Sequence, residues 1–244
     1  AGPALPRLAV AQASTTLMKF VPQANLSSLD PVWTTATVTN NHGYYVFDML
    51  YGADENLKPQ PQMAEGHEVS ADGKTWRIRL REGLSFHDGT PVKAVDCAAS
   101  LKRWTQRDPY GQLLGRAVEE WGAPDDRTVE IKLKRAFPMM LDCLAKSDQP
   151  PVIMPERLAK TDANTQVTEM IGSGPYKFVA SGYVSGSKVV YEKFEGYKPR
   201  AEPPSRNAGG KVAHFKRIEW NILPDPATSA AALTRGEVDW WERP

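Results

Sequence analysis

Residues 70–92 constrain the fold of this chain more than any other part of its 244 residues. Asp72-Gly73 predicts a tight hairpin turn, since both residues tolerate the positive φ that such turns require. The apolar residues from Trp76 to Leu80 then alternate with two arginines, which predicts a strand with one buried face. Thr90-Pro91 predicts a helix start, with Thr90 as the N-cap and Pro91 at the first helical position.

Five further motifs follow in the order found in one known family. They are SLDP at 28–31, YVFDMLYG at 45–52, DRTV at 126–129, GSGPYKF at 172–178 and RGEVD at 235–239. Together with residues 70–92 they resemble the family 5 extracellular solute-binding proteins, the peptide- and nickel-type receptors of ABC importers. Each motif alone is weak, but their shared order identifies the chain as a member.

This resemblance implies a fold and a division of the chain. The expected fold class is mixed α/β, as lobe I of a two-lobed, periplasmic-binding-protein-like (Venus flytrap) fold. Lobe II is expected to be absent, because family members are much longer than this chain. The resemblance places residues 14–55 and 172–244 in a ligand-facing subdomain and residues 56–171 in an inserted subdomain.

Periodicity and capping residues give a coarse map of the elements. Strands are predicted at 16–20, 75–80, 128–133, 176–179, 188–193 and 216–222. Helices are predicted at 40–50, 92–106, 139–145, 156–160 and 227–234, the last between an Asp225 cap and Gly236.

The charge balance and the N-terminus narrow the function classes. Thirty basic against 29 acidic residues give a net charge of +1, which argues against nucleic acid as a partner. No apolar run reaches the roughly eighteen residues of a membrane span. Residues 1–13 end in Ala11-Gln12-Ala13, a pattern typical of signal-peptide cleavage, so we expect an exported, periplasmic protein. A disordered leader or a cloning remnant is the alternative.

Cys97 and Cys143 are the two cysteines of the chain, and both lie on inward faces of predicted helices. In an exported protein they are expected to form a disulfide, which would contribute about 4 kcal/mol in the chain-entropy model. The alternative is that both are small buried residues that never meet.

Catalytic and metal-binding patterns are weak. Ser173 lies between two glycines, but a nucleophile elbow requires glycines two positions away on each side. The histidines lack metal-ligand spacing and have no cysteine partner nearby. The acidic pairs at 119–120 and 125–126 are typical of solvated turns. We therefore expect no enzymatic activity, no metal and no cofactor.

The aromatic residues give the candidate ligand site. The resemblance places Trp33, Tyr110 and the pair Trp240-Trp241 in loops that line the cleft between the lobes. Flat rings provide contact area at low entropic cost, and neighbouring hydroxyls or a carboxylate could direct a polar ligand. For Trp241, packing at the lobe hinge is an equal alternative. The predicted ligand-binding residues are Trp33, Thr34, Thr35, Thr37, Tyr110, Trp240, Trp241 and Glu242.

These observations predict a monomeric exported receptor that captures a small solute between two lobes and delivers it to an ABC permease. The ligand stays open among oligopeptide, dipeptide, opine, sugar and metal chelate, with peptide as the default. A lobe-only protein-interaction module is one alternative, which titration with a peptide mixture would distinguish. A hydrolase is the other, and an esterase and peptidase screen would detect it.

Overall fold

The computed structural model describes residues 16–243 of the chain. Its α-helices are α1 (Thr37–Val46), α2 (Ala94–Trp104), α3 (Pro109–Ala117), α4 (Met140–Leu144), α5 (Glu156–Ala159) and α6 (Pro226–Thr234). A short 3₁₀ helix covers Ala180–Gly182.

The described strands form a five-stranded sheet, a four-stranded sheet and two small sheets of two strands each. The strands are β1 (Leu17–Val21), β2 (Asp48–Met49), β3 (Tyr51–Ala53), β4 (Pro59–Pro61), β5 (Ala64–Val69), β6 (Thr75–Leu80), β7 (Val118–Asp125), β8 (Thr128–Leu133), β9 (Val152–Ile153), β10 (Tyr176–Phe178), β11 (Lys188–Lys193), β12 (Arg217–Asn221) and β13 (Trp240–Trp241). The mixed α/β class predicted from the sequence is confirmed.

The first sheet has the strand order β10-β11-β12-β1-β13. Strand β1 runs parallel to both of its neighbours, with Phe20 opposite Trp220 on one side and Trp240 on the other. Strands β10, β11 and β12 are antiparallel. Because β12, β1 and β13 are parallel, their carboxyl ends lie together at one edge of the sheet.

The second sheet has the order β5-β6-β8-β7, and all its pairs are antiparallel. Ile78 and Leu80 on β6 are buried while Arg77 and Arg79 are exposed, as the alternation predicts. The turn before β6 has Gly73 at φ +70°. Asp72 does not share the positive φ that we predicted, and its carboxylate instead accepts the Lys74 N–H at 3.1 Å.

Three aromatic rings fix α1 against the first sheet. Tyr45 on α1 lies with its ring centroid 5.1 Å from Tyr191 and 5.7 Å from Trp220. Tyr191 and Trp220 are themselves 5.2 Å apart on adjacent strands. Tyr191 and Trp220 are fully buried, so this cluster holds α1 in a fixed position over the sheet.

Helices α1 and α2 begin and end at residues other than those predicted from the sequence. Thr90 donates its hydroxyl to Asp88 at 2.6 Å, so it does not cap α2. Helix α2 begins at Ala94, and the Asp96 carboxylate accepts the Lys93 N–H at 2.8 Å. Helix α1 ends at Val46, not at position 50, because the Val46 carbonyl accepts the N–H of Gly174. The segment after it then pairs as β2 with β9.

The expected disulfide between Cys97 and Cys143 is wrong for this structure, in which both are free, buried thiols. Helix α2 packs on α3, α5 and strands β7 to β9, whereas α4 packs on α3, β3 and β4. The two helices share α3 as a neighbour, and the strands against which each helix mainly packs are different. The Cys143 thiol lies against the carbonyl of Tyr110, at 3.9 Å.

The four-stranded sheet is built within residues 64–133, and the five-stranded sheet combines residues 17–21 with residues 176–241. The boundaries proposed for the two subdomains stay a prediction. Within the described residues, no helix has both the length and the apolar character needed to cross a membrane. The expectations for the leader at 1–13 fall outside the described residues.

Candidate functional site

The carboxyl ends of β12, β1 and β13 define the candidate site, which we call the carboxyl edge. In open α/β sheets, ligands bind beyond the carboxyl ends of parallel strands. A cavity of about 310 Å³ opens at this edge, and its lining includes Gln23, Leu223 and Trp241. Asn41 on α1 donates its side-chain amide to Glu242, just after β13, so α1 is joined to the carboxyl edge.

The tryptophan pair of β13 lies at this edge. Trp240 is half-exposed, and its ring packs on Phe20 with the centroids 4.8 Å apart. Trp241 is partly buried, contacts a small cluster that includes Val21 and Val238, and lines the cavity. Both rings therefore present apolar surface at the edge, and Trp241 also packs against the fold.

Glu242 is held by the chain itself. One carboxylate oxygen accepts the backbone N–H of Gln23 and the other accepts the side-chain amide of Asn41, both at 2.9 Å. Each oxygen keeps lone-pair capacity for a further donor, but the side chain is fixed in place by these two bonds. Glu242 is therefore ordered at the carboxyl edge.

The threonine segment leads into the first turn of α1. Thr34 accepts the Ala36 N–H with its hydroxyl at 3.2 Å, while Thr35 and Thr37 are exposed. Trp33 lies just before them, and the guanidinium of Arg107 stacks 4.3 Å above its ring. One face of the Trp33 indole is thus covered by a cation, which is a favourable cation–π arrangement.

Tyr110 lies at the start of α3 and is 47% exposed. The Lys146 ammonium lies 5.9 Å from its ring centroid and 2.7 Å from the Asp108 carboxylate. Two residues further on, Asp148 accepts the side-chain amide of Asn40 on α1 at 3.0 Å. The loop at 146–148 thereby connects the surroundings of Tyr110 to α1.

Consecutive asparagines on α1 link the two groups of predicted residues. Asn40 bonds to Asp148 and to the carbonyl of Thr35, whereas Asn41 bonds to Glu242. The sequence-based prediction missed Asn40 and Asn41. A usable signal was present, because asparagine is a poor helix former and two in succession on a helix indicate side-chain hydrogen bonding. The prediction also missed Gln23, Arg107, Lys146 and Asp148.

The buried histidines are unsuited to acid–base chemistry. Burial lowers the pKa of His42 to about 3, and its ring bonds to the Tyr191 hydroxyl at 2.9 Å. Burial also lowers the pKa of His87 to about 4, and that ring lies 3.0 Å from the carbonyl of Gly174. Both rings are neutral at pH 7 and pack inside the fold. Among residues 16–243, no group of three or more His, Cys, Asp or Glu could hold a metal ion.

Comparison with known sequences gives one family and named relatives. The model of the bacterial extracellular solute-binding proteins, family 5 Middle, matches residues 58–244. The chain is 43% identical to a probable peptide ABC transporter periplasmic-binding protein, y4tO, of Sinorhizobium fredii, over 100% of this chain and 47% of the relative. It is 29% identical to the glutathione-binding protein GsiB of Pectobacterium atrosepticum, over 89% of the chain and 40% of the relative. The chain thus spans less than half the length of these relatives.

Solved structures have the same fold. The binding protein AgaA of A. tumefaciens R10, in complex with agropinic acid, matches with a TM-score of 0.72 and 27% identity, over 91% of this chain and 43% of that one. A dipeptide-binding protein of Pseudoalteromonas sp. SM9913, in complex with Met-Leu, matches with a TM-score of 0.74 over 92% of this chain and 46% of that one. At 20% identity, the second likeness concerns the fold alone. The relatives named here are binding proteins, in agreement with the expectation of a non-enzymatic chain.

Proposed function

Because the chain belongs to the bacterial extracellular solute-binding proteins of family 5, we propose that it forms one lobe of an exported receptor for an ABC importer. In the complete protein, this lobe and a second one capture a small solute and deliver it to a membrane permease. The named relatives bind or are assigned peptide, glutathione and agropinic acid, which supports a small polar organic solute. An oligopeptide is the default ligand, and the periplasm is the proposed location.

The observation that carries this proposal is the exposed surface formed by the carboxyl edge and α1. The half-exposed ring of Trp240 lies at the carboxyl edge, and the exposed Thr35 and Thr37 lie at the start of α1, which Asn41 joins to Glu242. Parallel strand ends, aromatic rings and hydroxyls are features of small-molecule sites, which supports the proposal. The proposed ligand wall consists of Trp33, Thr34, Thr35, Thr37, Tyr110, Trp240 and Trp241, with Glu242 beside it. We assign residues 14–55 and 172–244 to this ligand-facing part and residues 56–171 to an inserted subdomain.

Capture follows from the one-sided geometry of the wall. A solute that contacts both lobes binds the closed arrangement more tightly than the open one, and its differential affinity shifts the population toward closure. Hydroxyl groups of the threonine segment donate or accept hydrogen bonds, while the rings of Trp240 and Tyr110 provide apolar contact. The second lobe supplies the opposite contacts.

Mass spectrometry of solute that co-purifies with the complete protein, followed by calorimetry with the identified solute, tests the proposal. Trp33→Ala and Tyr110→Ala should each weaken binding at least tenfold, about 1.4 kcal/mol. Trp121→Ala is the matched control, because Trp121 is also partly buried but lies on β7 of the second sheet. Equal affinity for all three variants and the wild type would place the solute elsewhere.

A further inference from the structure

Strand β13 is too short to hold itself on the sheet by backbone pairing alone. It has two residues, Trp240 and Trp241, and it forms the edge of the sheet beside β1. A two-residue strand pair provides few ladder hydrogen bonds, and edge strands fray readily. Other groups must therefore hold this segment in place.

Two carboxylates flank β13, and each adds one side-chain hydrogen bond to a backbone hydrogen bond at its end of the strand. Before the strand, Asp239 accepts the Lys19 N–H at 2.7 Å and returns its own N–H to the Lys19 carbonyl at 2.8 Å. After the strand, Glu242 accepts the Gln23 N–H at 2.9 Å and donates its own N–H to the Val21 carbonyl at 3.0 Å. Hydrogen bonds from an N–H to a carboxylate are stronger than those between neutral groups.

Unlike the carboxylate of Asp239, the Glu242 carboxylate accepts a second hydrogen bond from elsewhere in the described residues. Its other oxygen accepts the side-chain amide of Asn41, in the first half of α1. The neighbouring Asn40 bonds to the carbonyl of Thr35, in the segment that precedes α1. One carboxylate thus joins the end of β13, the carboxyl end of β1 and helix α1, which follows the threonine segment of the proposed ligand wall.

We propose that Glu242 is a positioning residue, a latch that fixes the segment leaving this lobe onto β1 and couples it through Asn41 to the ligand wall. The proposal rests on the proposed function in two respects: the ligand wall, and the expectation that the chain beyond residue 242 leads toward the second lobe. With the latch closed, movement between the lobes begins after residue 242. Without it, the hinge extends back into β13, as far as Asp239, whose carboxylate still accepts the Lys19 N–H.

As a positioning residue, Glu242 differs from a free ligand-binding carboxylate. A ligand amine near Glu242 would meet a carboxylate that already accepts two hydrogen bonds. The expected effect of removing Glu242 is therefore a looser arrangement of the lobes in the absence of any solute. No solute is required to observe it.

Amide hydrogen exchange on the complete protein tests the latch directly. Glu242→Ala should accelerate exchange of the Gln23 amide about tenfold or more, because that N–H loses its charged acceptor. Glu237→Ala is the matched control: the same side chain lies five residues upstream, exposed, with its carboxylate 3.9 Å from Arg235. Asn41→Ala removes only the α1 arm, so the Gln23 amide should keep its protection.

Pulsed electron spin resonance distances between the lobes test the hinge. One nitroxide is placed at Val184→Cys, an exposed position of this lobe, and the other on the second lobe. The solute-free Glu242→Ala protein should give a broader distance distribution than the wild type, and Glu237→Ala should not. Glu242→Gln keeps one acceptor oxygen and should fall between them, which covers the case in which the alanine variant does not fold.

An unchanged Gln23 exchange rate in Glu242→Ala, or the same acceleration in Glu237→Ala, would overturn the latch. An unchanged distance distribution would overturn its role in the hinge. Neither measurement uses a solute. A wild-type protein that captures no solute would therefore count against the proposed function and leave the latch to be decided by these two results.

Discussion

Removing the buried carboxylate of Asp30 should strongly destabilise the protein. Asp30 is fully buried and faces Arg103, whose side chain is 2% exposed. One Asp30 oxygen lies 2.6 Å from the Arg103 guanidinium and accepts the Val167 N–H at 2.9 Å. The other oxygen accepts the Val32 N–H at 3.0 Å and a second guanidinium N–H at 3.3 Å. The pair therefore ties the motif at 28–31 to α2 and to the loop before β10.

The magnitude follows from what remains after the change. In Asp30→Asn, the guanidinium of Arg103 keeps its bonds to the carbonyls of Thr161 and Thr165 but loses its counter-charge in a buried site. Removing one partner of a buried ion pair costs about 3–5 kcal/mol. For a domain of this size, that loss corresponds to a fall in melting temperature of roughly 6–20 °C.

Urea unfolding followed by circular dichroism measures the loss, and a double-mutant cycle isolates the pair. Asp30→Asn, Arg103→Met and the combined variant should be strongly non-additive, because the second change removes a charge that the first has left unpaired. Lys160→Met is the control for Arg103→Met, since Lys160 forms an exposed ion pair with Glu156 in the adjacent helix. A loss below 1 kcal/mol for Asp30→Asn, or additive single losses, would refute this reasoning.

Three further outcomes are expected. The free energy of unfolding should fall as the pH drops from 6.5 toward 4, because His42, with its pKa lowered to about 3, takes up a proton only on unfolding. Denaturant titrations across that range should show a smaller pH dependence in His42→Gln. An unchanged pH dependence in that variant would contradict the assignment. Gly174→Ala should destabilise the protein by more than about 2 kcal/mol, because a Cβ there would lie 2.6 Å from the Tyr45 carbonyl oxygen. Gly66→Ala is the control, because a Cβ at that position has open space. Equal thermal stability of the two variants would contradict the packing. Thiol titration should find two free thiols per chain after unfolding without reductant. It should find almost none in the native protein, since burial raises the pKa of both cysteines. If no free thiol were found after unfolding, the two cysteines would form a disulfide after all.

The sequence predicted an element best where a single local pattern, such as apolar alternation or a helix cap, determined it. Strands β6, β8 and β11 match the predicted ranges because their apolar residues alternate or cluster in short runs. Helix α6 was found from Asp225, whose carboxylate accepts the Thr228 N–H at 2.8 Å. Asp108-Pro109 carries the same pattern of a cap followed by proline, which predicts the start of α3, a helix absent from the predicted map.

Contacts between residues far apart in the sequence determined the elements and boundaries that local patterns did not predict. Helix α1 ends at Val46 because a glycine far along the chain takes up its carbonyl, and no local signal marks that event. Strand β7 contains Gly122 and Pro124, which depress its strand propensity, yet it pairs along β8. The family was correctly identified from the order of motifs, and the expectation of one lobe, taken from the length of family members, agrees with the chain's coverage of less than half of the solved structures. The site residues stay a prediction, because in the proposed mechanism the ligand contacts also depend on a second lobe.

Calorimetry with one identified solute, on both the 244-residue chain and the complete protein, tests most directly whether this chain provides a single wall of a two-lobed site. The complete protein should bind the solute, and the chain alone should bind it roughly a thousandfold more weakly, about 4 kcal/mol, because the contacts of the second lobe are lost. Comparable affinity for the two would mean that the site is complete within residues 1–244, and it would contradict capture between two lobes.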